Sequence, residues 1–334
     1  MTGNQGTGSE RYEEASRAAV AWLRARLGPD GSYGPEADDL ACHYKSPQLL
    51  AAAGHPSDAR RVLDHIERRF MRSNGDFATE GTVKSANPVF DEFRAYPNAW
   101  IAIAAHRMGR FGTAARAMGH LVRYHNLGNG GFRTNLASGT DSLTTAHLGL
   151  ASLYTGQVER AAAAGVHLAQ LLAVQPDLKA GFYVRLDHRG RPVTEFPGEA
   201  APVHVVSATE PEQAYFMIGY PIAFLTLLAE LTEDATCLET AHGYLDFVLS
   251  SGGNPRSCHH AHKVGWGAAL YARTTGDREA AGLASDIAGH LLATQSAEGH
   301  WLPGEAPHTT YDQTAETALW LLEISASLGT DGRF

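Results

Sequence analysis

Gln295-Ser296-Ala297-Glu298-Gly299-His300-Trp301, preceded by Leu291-Leu292, joins two stretches of helical periodicity at 277–294 and 311–329. A glycine permits a left-handed turn, an indole packs between helix ends, and a glutamine bonds exposed backbone groups there. Looser versions stand at Gly31-Ser32-Tyr33, Gly75-Asp76-Phe77, Asn126-Leu127-Gly128-Asn129-Gly130-Gly131-Phe132 and Gly181-Phe182. Recurrence at roughly fifty residues is the mark of a repeat architecture.

Working outward from these junctions, the first helix of each pair covers 10–27, 57–72, 111–126, 157–174, 233–250 and 277–294. The second covers 39–53, 96–109, 141–156, 212–232, 260–276 and 311–329. Gly54, Gly109, Gly156, Gly276 and Gly329 follow helical patterns as left-handed C-caps would, whereas the fourth pair ends at Leu231-Thr232. The second helices are apolar almost all round, as in Ala99-Trp100-Ile101-Ala102-Ile103, so they should be buried on every side. The first helices carry polar faces, as in Arg60, Arg61, Asp64, Glu67 and Arg68, and should form an outer, solvated layer. Six inner and six outer helices in alternation imply an all-α closed ring, an (α/α)6 toroid, because closure removes the need for polar end caps. The strand signal is confined to 181–193, where Tyr183, Arg185 and Asp187 alternate with apolar residues and predict a short hairpin around His188-Arg189-Gly190. Residues 1–9 read as a frayed tail and 10–330 as a single domain.

The Gln-x3-Gly-x-Trp stretch resembles the QW repeat of the squalene–hopene and oxidosqualene cyclases, shared more loosely with protein prenyltransferases. That resemblance implies the toroid over most of the chain without choosing a reaction. Glu36-x-Asp38-Asp39 resembles the Asp-x-Asp-Asp acid motif of class II terpene cyclases, with Glu in the first position, and implies Asp38 as a proton donor. Lanthionine cyclases share the toroid and carry a Cys-His loop pair like Cys258-His259, but their Trp-Cys-Tyr-Gly motif is missing here.

The 334 residues are 44% hydrophobic, enough to bury a large core. The net charge of −9 is interspersed, with no basic stripe to track phosphates, so nucleic acid is not an expected partner. No apolar run is long enough to span a membrane, and the start lacks the features of a signal peptide. Three cysteines, Cys42, Cys237 and Cys258, suit a reduced, cytoplasmic protein. Oligomeric state is not legible.

In such a ring the inner helices run parallel, and their N-termini surround one funnel. Polar residues there are costly unless solvated, paired or used. At the first inner N-terminus stand Asp38, Asp39, Cys42, His43, Tyr44 and Lys45; Asp39 and His43 are spaced as an i,i+4 acid–base couple, and either aspartate can instead cap the helix. The second offers Arg94 as an anion clamp or a partner of Asp91, then Tyr96, Asn98 and Trp100. The third offers His147, as a funnel-floor group or a core histidine, behind a capping Asp141; the fourth offers His204, Gln213 and Tyr215. The fifth is the densest, Cys258-His259-His260-Ala261-His262-Lys263, followed by Trp266. Cys258, His259 and His262 form the alternative of a zinc site, while Lys263 is a cation site, a base of depressed pKa or a paired buried lysine. The sixth offers Tyr311, Asp312 and Glu316, two carboxylates one helical turn apart.

The aromatics among these residues suit a hydrophobic or sugar substrate. Helix N-termini aimed at one funnel oppose a strong acid or a carbocation and favour an anionic intermediate. The leading expectation is a metal-independent acid–base cyclase, isomerase or lyase, with no cofactor, acting on a small, largely hydrophobic metabolite. Asp38, Asp39, His43, Tyr44, Lys45, Tyr96, His262 and Tyr311 are the candidate proton carriers. Arg94, Asn98, Trp100, His147, Gln213, Tyr215, Lys263, Trp266, Asp312 and Glu316 are the candidate binding groups. The alternatives are carbohydrate chemistry (glycosidase, uronate lyase or epimerase), zinc-dependent prenyl or thiol chemistry, and a non-catalytic binding scaffold.

Overall fold

The computed structural model describes residues 8–329. The inner layer consists of a split pair, α2 (Leu40–His43) and α3 (Ser46–Ala52), then α6 (Tyr96–Arg107), α8 (Ser142–Tyr154), α10 (Phe216–Thr232), α12 (His262–Thr275) and α14 (Pro307–Gly329). The outer layer is α1 (Gly8–Ala25), α4 (Pro56–Arg69), α7 (Phe111–Leu121), α9 (Val158–Ala173), α11 (Ala235–Ser250) and α13 (Arg278–Thr294), with a short α5 (Val89–Glu92) on the funnel face. Each inner helix packs on the next, and α14 returns to α2 and α3, so the ring closes as an (α/α)6 toroid. Among the described residues, no helix is long and apolar enough to cross a membrane.

Each outer helix packs most extensively on the inner helix that precedes it in the chain, and α1 completes the set on α14. The intimate hairpins are thus inner-then-outer, one step out of phase with the pairs read from the sequence. The reason lies in the connections. Tight turns follow the inner helices, with Gly54, Gly109, Gly156 and Gly276 all at positive φ, whereas long loops lead from outer to inner helices. The last turn of α14 is bound to the start of α1 by Ser325 Oγ and Ser9 Oγ, 2.5 Å apart. Residues 1–7 of the expected tail lie outside the described residues, but Gly8 and Ser9 are already helical.

The junction residues brace the layers. At Gly299 (φ 95°), a Cβ would stand 2.7 Å from the Ala18 carbonyl oxygen of α1; at Gly31 (φ 87°), one would stand 2.0 Å from that of Arg61 in α4. Gln295 Nε2 donates to the carbonyls of Ala15 and Gly299, both at 2.8 Å. Trp301 is fully buried and its Nε1 donates to the Leu291 carbonyl at 2.8 Å. Its backbone N–H donates to Thr314 Oγ1 at 3.1 Å. The same peg recurs where Phe132 N donates to Thr145 Oγ1 at 2.9 Å and where Tyr33 N donates to His43 Nε2 at 3.3 Å.

Local departures from expectation have local causes. The first inner helix breaks at Tyr44-Lys45, where the backbone stays helical but Pro47, lacking an N–H, cannot donate the hydrogen bond that would continue the ladder. Helix α10 starts at Phe216 rather than 212, since Glu212 is held at φ 53°. It ends on Glu233 at φ 57°, a left-handed cap made without glycine. Gly329 is still helical. In the 181–207 insertion, β2 (Gly181–Tyr183) pairs with β4 (Val205–Ser207), and β3 (Arg185–Leu186) pairs with β1 (Thr140–Asp141). The predicted turn is present, since Leu186 bridges Pro192 across it, but β2 and β3 take partners elsewhere. Alternation identifies a strand, not its neighbour.

Two substitutions test this backbone reading by chemical denaturation. Gly299→Ala should destabilise the protein by about 2–3 kcal/mol, through strain and the clash with α1. Glu233→Gly should stabilise it by roughly 0.5–1 kcal/mol, because relief of the left-handed strain exceeds the added freedom of the unfolded chain.

Candidate active site

The inner N-termini surround a cavity of about 230 Å³ that opens to solvent, and Glu316 of α14 lies at its base. Glu316 is fully buried and accepts four hydrogen-bond donors. Its Oε1 receives Lys263 Nζ at 2.7 Å, the Tyr96 hydroxyl at 3.1 Å and Trp320 Nε1 at 3.2 Å. Its Oε2 receives Lys45 Nζ at 2.6 Å and faces His262 Nε2 at 3.3 Å. Burial alone would raise the Glu316 pKa, but the charges of Lys263 and Lys45 outweigh it and hold the carboxyl well below its usual range.

One turn earlier, Asp312 Oδ2 accepts Lys45 Nζ at 2.8 Å and Gln313 Nε2 at 2.7 Å. Its other oxygen is buried without a hydrogen bond. Lys45 sits in the break between α2 and α3, and Lys263 is one residue into α12. Each ammonium has three protons, of which the protein engages two: Lys45 on Asp312 and Glu316, Lys263 on Glu316 and on His262 Nε2 at 2.9 Å. One N–H on each lysine is therefore left for a ligand.

Burial, opposed by Glu316 and aided by Lys45, lowers the Lys263 pKa to about 8. Burial and the Lys263 charge push His262 down to about 3, so its ring is neutral. Its Nδ1–H donates to the His259 carbonyl at 2.6 Å, which leaves Nε2 as the lone-pair nitrogen that accepts from Lys263. Tyr96 is raised well above the normal phenol range, first by burial and then by Glu316. Tyr44 is raised in the same way by burial and Asp312.

Beneath the charges lies an aromatic floor. Trp266 stacks on Trp320 at 4.1 Å, Trp100 packs against Trp320 at 5.4 Å, and His147 packs against Tyr96 and Tyr220 at 4.6 and 4.7 Å. His147 is held neutral by burial and by the Lys263 charge. The cavity wall is apolar: Val89 and Phe90 from α5, Phe93, Leu143, Phe216 and Leu302.

The structure thus brings together Tyr44, Lys45, Tyr96, His262, Lys263, Asp312 and Glu316, with Trp100, His147 and Trp266 below them. The other candidates lie elsewhere. Asp38 forms a half-exposed ion pair with Arg69 at 3.0 Å. Asp39 caps α2 through the Ala41 N–H and accepts the Ala86 N–H. His43 binds the Asp39 carbonyl rather than its carboxylate, at 2.8 Å, and serves as the junction peg, so the two are no acid–base couple. Arg94 is tied to the Thr82 carbonyl and to Asp91. Asn98 is buried and accepts Lys84 Nζ. Gln213 bonds the loop backbone at Ser207 and Pro211. Tyr215 is buried with its hydroxyl against Gly253. His204 bonds the Ala200 carbonyl in the insertion. Tyr311 packs with Trp22 and Tyr33 outside the cavity. The zinc donors diverge: Cys258 Sγ faces Glu212 and Gln213, and His259 Nε2 faces Gln313 Oε1 at 3.0 Å. Among the described residues, no three His, Cys, Asp or Glu side chains are grouped as metal ligands would be.

Sequence reasoning missed Tyr220, Trp320 and the wall of α5, and named His260 only as a member of the fifth cluster, without a role. Trp320 was accessible, since it follows Glu316 by four residues on one helix face. A stronger signal lay in composition: the chain holds four lysines, Lys45, Lys84, Lys179 and Lys263, and only Lys179 is exposed. An arginine-rich surface that spares lysine marks the remaining lysines as interior groups.

No family model matches the chain, and no curated protein matches it. Solved structures do. A D-mannose isomerase superposes with a TM-score of 0.69 at 11% identity, covering 97% of this chain and 100% of that one. The α-1,6-mannanase GH76A from Salegentibacter sp. gives 0.62 at 14%, covering 95% and 99%. The type II terpene cyclase MstE from Scytonema, in complex with merosterolic acid A, gives 0.57 at 14%, covering 96% and 99%. At these identities the likeness establishes the toroid fold.

The buried histidines carry a pH signature. His43 and His259 are pushed by burial to about 4, and His262 to about 3, from 6.5 in the open chain. With folded values depressed, the unfolded state binds protons first as pH falls. Their stability is therefore complete above pH 6.5 and lost on the way to pH 4, by up to about 1.4 kcal/mol per pH unit per histidine. Urea unfolding at constant ionic strength should show this loss. His43→Gln should be less stable at pH 7, with a shallower dependence by about one histidine's worth.

Proposed function

We propose that the protein is a metal-independent acid–base enzyme, an isomerase, lyase or cyclase, that moves a proton next to a carbonyl-type oxygen in a compact, partly hydrophobic metabolite. The observation that carries this reading is Lys263, fully lined by protein yet facing a cavity, with its pKa brought to about 8. A general base works best with a pKa near the working pH, and a buried lysine reaches that range. In its neutral form Lys263 accepts a proton from carbon and returns it to a neighbouring position or to the leaving group. Lys45, bridged to Asp312 and Glu316, donates its spare N–H to the oxygen on which negative charge develops. Glu316 holds both lysines, one on each carboxylate oxygen; His262 accepts from Lys263, and Tyr96 donates to Glu316. The positive ends of the inner helices add to the same field.

The neighbours support an enzyme of this kind, since a D-mannose isomerase, a mannanase and a terpene cyclase all use the same ring. Among them, proton transfer as in sugar isomerisation fits best. A glycosidase needs a carboxyl able to donate a proton, and Glu316 is held ionised. A class II terpene-cyclase mechanism would need Asp38, which is paired with Arg69 away from the cavity. A cavity of about 230 Å³ also lies below the roughly 300–1,000 Å³ typical of sites for larger ligands, which favours a compact substrate over a long prenyl chain.

The test is solvent exchange. The protein is incubated in heavy water with D-mannose, D-fructose and a panel of short α-hydroxy and β-keto carbonyl compounds, and carbon-bound deuterium is read by mass spectrometry. Exchange should occur with at least one member, survive a chelator and rise with pH through about 8 as Lys263 loses its proton. Lys263→Met should slow it by roughly 10²–10⁴-fold, while Asp38→Asn leaves it unchanged. No exchange across the panel, or full exchange in Lys263→Met, would overturn the reading.

A further inference from the structure

The four lysines of the chain differ in what surrounds each Nζ. Lys179 is exposed. Lys84 is fully buried, and its three protons have three acceptors: Asp76 Oδ1, the Phe77 carbonyl at 2.7 Å and Asn98 Oδ1 at 2.8 Å. Burial brings its pKa to about 8, but it does not line the funnel cavity, and no position on its nitrogen is open. Lys45 and Lys263 do line the cavity, each with two protons engaged. Lys45 lies between two carboxylates, Asp312 and Glu316. Lys263 has one carboxylate, and its second acceptor is the neutral imidazole of His262.

Those two acceptors decide which proton Lys263 can lose. Glu316 is ionised, and His262 spends its Nδ1–H on the His259 carbonyl, so Glu316 Oε1 and His262 Nε2 can only accept. Each keeps one N–H of Lys263. Loss of a proton therefore falls on the third, and the nitrogen lone pair takes its place, on the side that neither acceptor occupies. A neutral amine held in this way is a base toward a C–H and a nucleophile toward a carbonyl carbon. Lysine becomes such a nucleophile when it is desolvated in an apolar pocket or set beside another cationic group. Lys263 has both: Val89, Phe90, Leu143 and Phe216 wall the cavity, and the Lys45 charge acts on it across Glu316. The rings of Phe216, Tyr220 and Tyr96 stand 5.2, 5.4 and 5.9 Å from Nζ, so a cation that stays on this nitrogen keeps aromatic surroundings.

We propose that Lys263 is also a covalent nucleophile, which captures small aldehydes and ketones as a protonated imine. Nζ adds to the carbonyl carbon: the N–C bond forms as the C–O π pair moves to oxygen, and the spare N–H of Lys45 hydrogen-bonds that oxygen. The oxygen then leaves as water, carrying one proton from Nζ and one from the solvent at the open mouth of the cavity, and the C=N bond forms. The iminium keeps one N–H for Glu316, whose carboxylate balances its charge. No oxidant or reductant is consumed. The step needs a carbonyl group on a compact body and makes no demand on an acidic C–H, so it stands apart from the proton transfer proposed above.

Reductive trapping on the unmodified chain tests the assignment and needs no variant. The protein is incubated at a pH of about 8 with acetone, cyclohexanone or benzaldehyde in the presence of cyanoborohydride, which reduces an iminium to a stable secondary amine. Labelled peptides are then mapped by mass spectrometry over time. With at least one probe, Lys263 should be labelled at least about tenfold faster than the exposed Lys179. Lys84 should stay unlabelled although burial gives it a similar pKa, because its nitrogen faces no cavity. Labelling of Lys263 no faster than that of Lys179 with all three probes, or labelling of Lys84 as fast as Lys263, would overturn the proposal. Carbon-bound deuterium exchange without trapping at Lys263 would overturn the covalent role and leave the proton transfer standing. Trapping without exchange would support the covalent role and count against the proton transfer.

Discussion

One buried carboxylate organises the interior. Glu316 binds Lys45 on one oxygen and Lys263 on the other, and so ties the break in the first inner helix to the start of the fifth. Two ammonium groups this close in a low-dielectric interior would repel strongly without it. Removing one member of such a group leaves the others buried and uncompensated, which is far costlier than losing an exposed ion pair. The ring therefore closes around charge as well as around apolar surface. The strand-free core beneath, with Trp266 stacked on Trp320, excludes water from below and keeps the lysines dry on that side.

The same arrangement gives the two lysines different surroundings. Lys45 has two carboxylate partners, Asp312 and Glu316. Lys263 has one carboxylate, a neutral imidazole and a second lysine in its field, and burial brings its pKa down to about 8. On the proposed reading, this asymmetry suits proton transfer through an oxyanion. Zinc chemistry would have demanded convergence of Cys258, His259 and His262, and those side chains turn toward Glu212, Gln313 and Lys263 instead.

The architecture was legible because it is periodic. Inner and outer helices differ in how completely apolar they are, tight turns announce themselves through glycine, and Gln295 to Trp301 shows the junction in its fullest form. The register of pairing was not legible, since periodicity reveals helices without saying which neighbour a turn or a loop binds more closely. Within the site, Lys45, Lys263, Asp312 and Glu316 could be named from their place at inner N-termini. Their mutual bonds could not, because Lys45 and Glu316 are 271 positions apart. The misreadings share a cause. Asp39 and His43 have the composition of chemistry but the job of a cap and a peg, and His43 is recognisable as a peg only beside Thr145 and Thr314, which occupy the same role.

The most direct measurement is a pH titration of the lysine ε-carbon resonances by NMR, made tractable by the presence of only four lysines. Lys263, assigned by its loss in Lys263→Met, should titrate near 8 in the wild type and lower still in Glu316→Gln, where the neutralising carboxylate is gone. A Lys263 that titrates near the ordinary 10.5, or that is indifferent to Glu316→Gln, would contradict the account.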